Sequence, residues 1–413
     1  MTDRALWHGQ AHMPTSQAHR LTIKGGEGAW LTTSDGQRLL DATASLWHAN
    51  VGHGRERIAR AAYEQMKTLE TYHVFGRFAN EPALDLADRL ADIGPIDGGR
   101  VMLTSGGSDS IELACKLARR HWQLEGRPEK TTIVSRETSY HGLHGYGTSI
   151  AGLEYNREGY GSQSLIPETL RIPANDIAAA TAMLAAHGTE NIAAIVFEPV
   201  IGTGGIVGPV DGYLAGLQAF ARANDILLIA DEVITGFGRV GTMFACERYD
   251  ISPDMVVMAK GLTSGYAPLG AVLVSPRIAD RFFDGADAPM FRHGLTYSGH
   301  ATACVVAQEN LDIIEEEGLV ERSAHLEDVL ARAVAPLADH PLVEEVRSGS
   351  AFLAGIQIVA DVKGDDVAFE CVRRGVLTRT IHANTLQICP PFVATEAEVE
   401  LIATTIADAL DSI

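Results

Sequence analysis

The stretch Asp254-Met255-Val256-Val257-Met258-Ala259-Lys260 is an apolar run that ends in a lysine, and Gly261 follows it directly. The run is short and rich in apolar side chains, and the turn signal Ser252-Pro253 precedes it, so it predicts a buried β-strand. An ammonium ion at the mouth of such a strand is costly to desolvate. Lys260 is therefore either a neutral amine, used chiefly to form an imine, or a strand-end lysine whose charge reaches solvent. The stretch alone leaves both interpretations open.

A second apolar stretch, residues 226–231, ends in Asp231-Glu232-Val233. The carboxyl ends of parallel strands share one edge of a sheet, which is where ligands of α/β proteins gather. An aspartate and a lysine at that edge suit pyridoxal phosphate (PLP), because the carboxylate pairs with the protonated pyridine nitrogen and the lysine holds the aldehyde carbon as an imine. An isolated Asp-Glu pair at a strand end more often caps the next helix. Paired with Lys260, Asp231 predicts PLP as the cofactor.

A glycine turn between a strand and a helix predicts an anion site. The strand candidate Arg100–Ser105 leads into Gly106-Gly107-Ser108-Asp109, and a helical period of apolar side chains follows at positions 111, 114, 115, 118 and 122. Free backbone N–H groups, the positive end of the helix dipole and the hydroxyl of Ser108 would together bind a phosphate. A simple turn with an N-cap is the alternative. The spacing matches neither a Walker A loop nor a dinucleotide fingerprint.

The motifs resemble those of the class III aminotransferases, PLP enzymes of fold type I, and most closely their ω-transaminase branch. The resemblance rests on Gly107-Ser108-Asp109, Lys116–Arg119, Ser139-Tyr140-His141-Gly142, Glu198-Pro199-Val200, residues 231–239, Ala259-Lys260-Gly261 and residues 296–300. They come in the family's order, from about residue 25 to the C-terminus, and their joint occurrence is specific. The resemblance implies an α/β fold with a large domain, whose central sheet is mainly parallel and flanked by helices, and a smaller α+β domain built from both chain ends.

The resemblance also implies roles at the cofactor. Lys260 would carry the internal aldimine and then act as general base and acid, while Asp231 would keep the pyridine nitrogen protonated. Val233 and Tyr140 would pack on opposite faces of the ring, although Tyr140 could equally be a core aromatic. Gly107 and Ser108 would contact the phosphate, and Thr296 would reach the same phosphate from the second subunit of a homodimer. His141 and Glu198 would lie near the cofactor. The resemblance also implies that Glu198, which ends the apolar stretch 192–197, can pair with a mobile arginine, and the alternative is an acid facing water.

Substrate recognition is implied for five residues. Arg379 resembles the arginine that binds a substrate carboxylate bidentately and swings away for a neutral amine. The loop 381–384 behind it looks about one residue longer than in familiar members, and an exposed arginine beside a strand is the alternative. Trp47, Phe75, Leu143 and Thr203 fall at positions that line the substrate pocket in the relatives. An aromatic wall of this kind suits hydrophobic or aryl amines, although Trp47 and Phe75 could also belong to the core.

The predicted reaction is a ping-pong transamination that moves an amino group from an ω-amino acid or primary amine to a keto acid, with pyruvate as the first candidate. Another PLP reaction on the same scaffold, such as that of a racemase, decarboxylase or aminomutase, is the main alternative, because the protein selects which bond breaks. A nicotinamide dehydrogenase is disfavoured, since no G-x-G-x-x-G occurs. A non-catalytic binding protein would have no need of both Lys260 and Asp231.

Composition limits the binding partners, the metal content and the cellular compartment that we expect. The formal charge of −20 over 413 residues argues against a nucleic-acid or anionic-membrane partner, since both need a basic patch. Five cysteines without a C-x-x-C pair predict core thiols in a reducing compartment, and the histidines show no metal-binding spacing. The N-terminus lacks an apolar signal core and no segment has the length of a membrane span. We therefore expect a cytoplasmic enzyme without a metal.

The order of predicted elements divides the chain into three parts. Residues 1–70 contain a hairpin signal at 34–37 and form the N-terminal part of a small domain. Strands and helices alternate from about residue 80 to 295, which predicts a mainly parallel sheet and a large PLP-binding domain over residues 71–299. Residues 300–413 complete the small domain and close with a helix that has a capping box, Thr395 and Glu398.

Overall fold

A computed structural model describes residues 5–160 and 165–413 of the chain. The strands in these residues are β1 Ile23–Glu27, β2 Trp30–Thr33, β3 Arg38–Asp41, β4 Arg100–Thr104, β5 Thr132–Arg136, β6 Thr169–Ile172, β7 Ile192–Phe197, β8 Leu227–Asp231, β9 Met255–Met258, β10 Gly270–Val274, β11 Val343–Arg347, β12 Ala354–Ile358, β13 Val376–Leu377, β14 Thr380–Ile381 and β15 Thr385–Ile388.

The helices are α1 Met13–Ala18, α2 Ala44–Trp47, α3 Glu56–Thr68, α4 Glu81–Ile93, α5 Gly107–Leu124, α6 Gly145–Ile150, α7 Ile177–His187, α8 Tyr213–Ala223, α9 Ala245–Arg248, α10 Pro276–Phe283, α11 Ala301–Glu316, α12 Leu319–Val334, α13 Gly364–Arg373 and α14 Glu396–Leu410. The α2 segment is an irregular turn rather than a helix, because Ser45 and Leu46 have non-helical backbone angles. Short 3₁₀ turns add Glu154–Asn156, Thr189–Asn191, Lys260–Leu262 and Ala335–Asp339.

A seven-stranded sheet with the order β4-β10-β9-β8-β7-β5-β6 forms the centre of the molecule. Only β10 runs against its neighbours, so the predicted α/β fold with a mainly parallel sheet is confirmed. Every residue of β7, β8 and β9 is buried, because both faces of a parallel sheet are covered. In the register of β8 and β9, Asp231 pairs with Val257, which brings the ends of these two strands together.

Two four-stranded sheets lie outside the central one. One has the order β1-β2-β3-β13, and its β13 pairs in parallel with β3, so strands from both ends of the chain share a sheet. This pairing agrees with a small domain built from both chain ends, while the boundaries at residues 70 and 299 remain a prediction. The predicted capping box is confirmed: Thr395 Oγ1 accepts the Glu398 N–H and Glu398 Oε2 accepts the Thr395 N–H at 2.7 Å.

The other sheet, β11-β12-β15-β14, ends in a hairpin that fixes the position of the loop 381–384. Ile381 pairs with Thr385, and Ala383 and Asn384 take left-handed backbone angles, with φ of 55° and 54°. The Asn384 side chain anchors this turn, because it donates to the carbonyls of residues 358, 359 and 362 and accepts the Gly364 N–H. The turn between β14 and β15 is thus held in place by the segment that precedes α13.

Three wider properties follow from the described residues. No helix there has both the length and the apolar character that a membrane crossing requires. In the same ranges, no three His, Cys, Asp or Glu side chains cluster closely enough to hold a metal ion. All five cysteines are buried free thiols, so they pack as small core residues.

Candidate active site

The candidate residues converge at the carboxyl edge of the central sheet. Asp231 is the last residue of β8, Glu198 directly follows β7, and Lys260 comes two residues after β9. Gly107 begins α5 just beyond β4. These strands run in the same direction, so one edge of the sheet collects all four residues, as the sequence predicted.

One cavity at this edge brings eight of the candidate residues together and holds about 560 Å³ of empty space, part of it open to solvent. The eight are Gly107, Ser108, Tyr140, His141, Glu198, Asp231, Val233 and Lys260, and Ile111, Gly142, Ile234 and Ala259 complete the lining. The cavity therefore unites strand ends that are up to about 150 residues apart in the sequence.

Asp231 lies almost fully buried at the base of the site, with 5% of its surface exposed. His141 Nδ1–H donates to its Oδ2 at 2.7 Å, and the Val233 N–H donates to its Oδ1 at 3.1 Å. A carboxylate only accepts, so the pairing assigns the proton to Nδ1 of the buried imidazole. These two bonds fix the orientation of the carboxyl group at the base of the cavity.

The amine of Lys260 is half-buried in the same cavity and occupies a strained backbone position, with φ of 41°. Burial lowers the pKa of Lys260 to about 8, and the positive charge of Arg379 acts in the same direction, while Asp231 and Glu198 oppose it. The neutral, nucleophilic amine is therefore the major form above about pH 8. The Lys260 side chain thus lines the same cavity as Asp231 and Glu198.

Glu198 is buried rather than facing water. Its Oε1 accepts the Tyr140 N–H at 3.0 Å and its Oε2 accepts the Gly202 N–H at 2.9 Å. Burial raises the pKa of this carboxyl and the charge of Asp231 adds to the effect, whereas His141 and the two backbone donors lower it. Glu198 thus ties the Tyr140 loop and the loop after β7 to the end of the sheet.

The N-terminus of α5 opens into the cavity without a capping side chain. The N-cap residue Gly106 has no side chain to offer, and Gly107 and Ser108 form part of the cavity wall. The first-turn N–H groups of an α-helix have no intrahelical partner, so they and the positive end of the helix dipole are available to an anion. The Ser108 Oγ accepts the Leu143 N–H at 3.3 Å and so joins this turn to the loop that carries His141.

Gly142 is the tightest point of this junction, and we expect Gly142→Ala to destabilise the protein. Its φ is +82°, and a Cβ atom there would lie 2.3 Å from Ser108 Oγ and 2.8 Å from Ser108 Cα. The left-handed backbone angle costs alanine about 1 kcal/mol and the overlap adds about 1–3 kcal/mol. The free energy of unfolding in urea measures the loss.

Gly126→Ala is the matched control for Gly142→Ala, because Gly126 has a φ of +74° and no atom within 4 Å of its would-be Cβ. The control should show only the backbone cost. An equal loss of stability in both variants would refute a close packing of Gly142 against Ser108.

Arg379 lies beside the cavity rather than in its lining. Its guanidinium carbon is 5.9 Å from the ring centroid of the buried Trp47, and its Nε donates to Gln387 Oε1 at 2.6 Å. Arg379 also influences the pKa values of Lys260 and Tyr140, so its charge acts on the same space. Two of the five residues predicted for substrate binding, Arg379 and Trp47, therefore form a contact pair at the edge of the site.

The other predicted substrate and subunit residues lie farther out. Phe75 is 45% exposed and borders a separate groove with the segment 290–298. Leu143 is exposed, Thr203 is half-buried in the turn after β7, and Thr296 is exposed on the surface. None of these four lines the Lys260 cavity of its own chain, so their roles remain predictions.

Tyr155 and Glu232 lie near the site but were not among the predicted site residues. Tyr155 is exposed in a 3₁₀ turn and lies close enough to Arg379 for the guanidinium to influence its pKa. Glu232 is fully buried and accepts the N–H groups of Ala245 and Cys246, so it caps α9. The Asp-Glu pair therefore divides its functions, with the second acid capping a helix and the first facing the cavity.

The cavity fits PLP at three points. The uncapped end of α5 suits a phosphate, the buried amine of Lys260 suits an aldehyde, and the buried carboxylate of Asp231 suits a protonated pyridine nitrogen. With a mainly parallel sheet holding all three at its carboxyl edge, the fold and the site define a PLP-dependent enzyme of fold type I.

Comparisons with known proteins identify the family. The class-III aminotransferase model matches residues 12–410. An omega-aminotransferase of Caulobacter vibrioides is 35% identical over 96% of this chain and 94% of its own length. A putrescine–pyruvate aminotransferase of Pseudomonas aeruginosa is 34% identical over 94% and 90%. The PLP-bound amine transaminase of an uncultivated Pseudomonas species superposes with a TM-score of 0.93 at 34% identity, covering 99% of both chains.

The chain belongs to the class-III aminotransferase family and resembles its ω-transaminases. It is a PLP-dependent enzyme that transfers amino groups between small molecules.

Proposed function

We propose that the enzyme takes an amino group from an ω-amino acid or a primary amine and gives it to a keto acid, with pyruvate as the first candidate, in a ping-pong reaction. The contact pair of Arg379 and Trp47 carries this proposal. A guanidinium beside an aromatic wall offers one group for a carboxylate and one for an apolar substituent. A relative that acts on putrescine and pyruvate supports the same pair of substrate classes.

PLP supplies an electron sink that makes the hydrogen on the amine-bearing carbon acidic. The neutral Nζ of Lys260 takes that proton from the donor and, in the second half-reaction, returns one to the carbonyl carbon of the keto acid. Asp231, oriented by His141 and the Val233 N–H, would pair with the pyridine nitrogen and favour its protonated form. The N-terminus of α5 with Gly107 and Ser108 would hold the phosphate, and Tyr140 and Val233 would contact the two faces of the ring.

A homodimer with shared active sites is part of the proposal. Thr296 is exposed and Phe75 borders an apolar groove outside the Lys260 cavity, which supports their serving the site of the second subunit. The groove holds about 1710 Å³ of space, and Leu84 and Met290 are among the exposed apolar residues in its wall. Sedimentation equilibrium should give twice the mass of one chain, and a monomer would remove this part of the proposal. Five buried free thiols also support a reducing compartment such as the cytoplasm.

A panel of single half-reactions tests the substrate proposal. The purified enzyme with bound PLP is mixed with β-alanine, 1-phenylethylamine or L-alanine alone, and the loss of the cofactor's absorbance band is followed. Pyruvate or 2-oxoglutarate is then added, and recovery of the band identifies the acceptor. If only α-amino acids react, the assignment to ω-amino substrates is wrong. Release of carbon dioxide, or inversion without amino transfer, would favour a decarboxylase or a racemase.

Replacing Arg379 by leucine should separate the two substrate classes. The loss of a bidentate, charge-assisted pair should lower kcat/KM for pyruvate about 100-fold. The half-reaction with 1-phenylethylamine should change less than about 3-fold, because a neutral amine needs no guanidinium. Steady-state and single half-reaction kinetics measure the two values.

Arg171→Leu is the matched control, because Arg171 is a half-buried arginine outside the cavity whose pKa is also lowered by burial. It should leave the ratio of the two rates unchanged. A proportional loss for both substrates in Arg379→Leu would contradict a carboxylate-binding role.

A further inference from the structure

Gln387 connects Arg379 to the loop that carries Trp47. It lies in β15 with 0% of its surface exposed, and its Oε1 accepts the Arg379 Nε–H at 2.6 Å. Its Nε2 donates to the carbonyl of Thr43 at 3.3 Å. The backbones are joined as well, because the Gln387 N–H donates to the Arg379 carbonyl at 2.9 Å. Gln387 therefore holds Arg379 at two points, the side-chain Nε and the backbone carbonyl.

The charge of Arg379 has no acidic partner among the described residues. Burial lowers the pKa of the guanidinium, and the groups that oppose this effect are the thiol of Cys389 and the phenols of Tyr140 and Tyr155 rather than a carboxylate. A half-buried cation without a counter-ion is unfavourable in a resting protein. It is favourable when a ligand carries the missing negative charge.

From these contacts we infer that Gln387 is a specificity-determining positioning residue. It holds Arg379 through Nε and leaves both Nη groups for the carboxylate of the substrate. Because its amide is neutral, the positive charge of Arg379 stays available to that carboxylate. This inference rests on the proposed role of Arg379 and adds the residue that sets the strength and orientation of carboxylate binding.

The hydrogen bond to Thr43 also links Gln387 to the loop that carries Trp47. The loop after β3 takes left-handed backbone angles at Ala44, Ser45 and Trp47, so it depends on external bonds for its shape. The buried Asp41 accepts the N–H groups of Thr43 and Ser45, and Gln387 holds the Thr43 carbonyl. A change at Gln387 therefore acts on Arg379 first and on the position of Trp47 second.

Gln387→Glu tests the role of the neutral amide. A carboxylate at this position would pair with Arg379 and repel a second carboxylate, so binding of benzoate, a carboxylate that cannot react, should weaken about 10- to 100-fold. The KM for pyruvate should rise by a similar factor, while kcat/KM for the half-reaction with 1-phenylethylamine should fall by a smaller factor, because the neutral amine feels only the second effect, on Trp47. Isothermal titration calorimetry of the PLP-loaded enzyme measures benzoate binding independently of turnover.

Gln387→Met separates charge from hydrogen bonding, since it keeps the length of the side chain and removes both bonds. We expect it to weaken benzoate binding about 3- to 10-fold, less than Gln387→Glu, because the guanidinium loses its orientation and keeps its free charge. If Gln387→Glu does not fold, Gln387→Met alone tests the role of Gln387 in carboxylate binding. Benzoate binding and a pyruvate KM unchanged in Gln387→Met would then overturn the inference.

The variants of Arg379 and Gln387 fail in distinguishable ways. If Arg379→Leu binds benzoate as tightly as the wild type, the proposed function of Arg379 is wrong. If Arg379→Leu no longer binds benzoate and Gln387→Glu binds it as tightly as the wild type, only the inference on Gln387 is wrong. An equal loss for benzoate and for the amine half-reaction in Gln387→Glu would indicate general damage to the site and would also overturn the specificity role.

Discussion

Lys260→Ala is expected to lower the rate of amino-group transfer by at least about 10⁴-fold, because one side chain supplies both the attachment point of the cofactor and the catalytic base. Among the described residues, no other lysine lines the cavity, so no neighbouring amine can take over either function of Lys260. The rate is measured with 1-phenylethylamine and pyruvate. Borohydride should fix the cofactor to the wild-type chain at Lys260 and leave the variant unlabelled.

Lys130→Ala is a close control for the loss of a buried lysine. Lys130 is 1% exposed, burial also lowers its pKa to about 8, and its Nζ packs over the ring of Trp122, away from the cavity. This variant should lose stability and keep the activity of its folded fraction. Addition of methylamine should restore part of the activity of Lys260→Ala. A Lys260→Ala enzyme that turns over at the normal rate would end the assignment.

Asp231→Asn is expected to lower kcat about 10²- to 10³-fold, the range found when a preorganised electrostatic group is removed from an active site. Asparagine has nearly the same shape, and its Oδ1 can still accept one hydrogen bond, so the fold and the position of His141 should persist. The negative charge that holds a proton on the pyridine nitrogen is lost. Single half-reaction kinetics and the spectrum of the bound cofactor measure the change.

The same substitution at Asp254 controls for the loss of a buried acid in the central sheet. Asp254 precedes β9 at the opposite edge, where it accepts the Leu228 N–H at 2.8 Å, and burial raises its pKa. Asp254→Asn should therefore leave kcat unchanged. A rate for Asp231→Asn within a few-fold of the wild type would show that this carboxylate does not act on the cofactor.

The residues at the strand ends were predictable because each strand is a local pattern. Apolar runs at 192–197, 226–231 and 254–260 predicted β7, β8 and β9, and the residue at or just after the end of each run was fixed by its place in the chain. Since parallel strands end at one edge, Glu198, Asp231 and Lys260 had to meet there. The helix at Gly107 followed in the same way from a glycine turn and a helical period.

The contacts between these residues were not predictable from local patterns. The sequence placed His141 near the cofactor but gave no reason for its bond to Asp231, since 90 residues separate them. It also gave no reason for Gln387 to hold Arg379, because a glutamine in a short strand has no pattern of its own. Phe75 and Thr296 lie outside the cavity of their own chain, and the assignment of Thr296 to a second subunit rests on the family resemblance alone.

The sequence by itself determined the order of strands and helices, the residues at the strand ends and the family resemblance that points to PLP. Those properties depend on periodicity and on residue types close together in the chain. The tertiary structure alone decided that Lys260 is buried enough for its pKa to fall to about 8, and that Arg379 meets a neutral amide instead of an acid. Desolvation and charge pairing depend on which distant segments pack together, and that packing is a property of the folded chain.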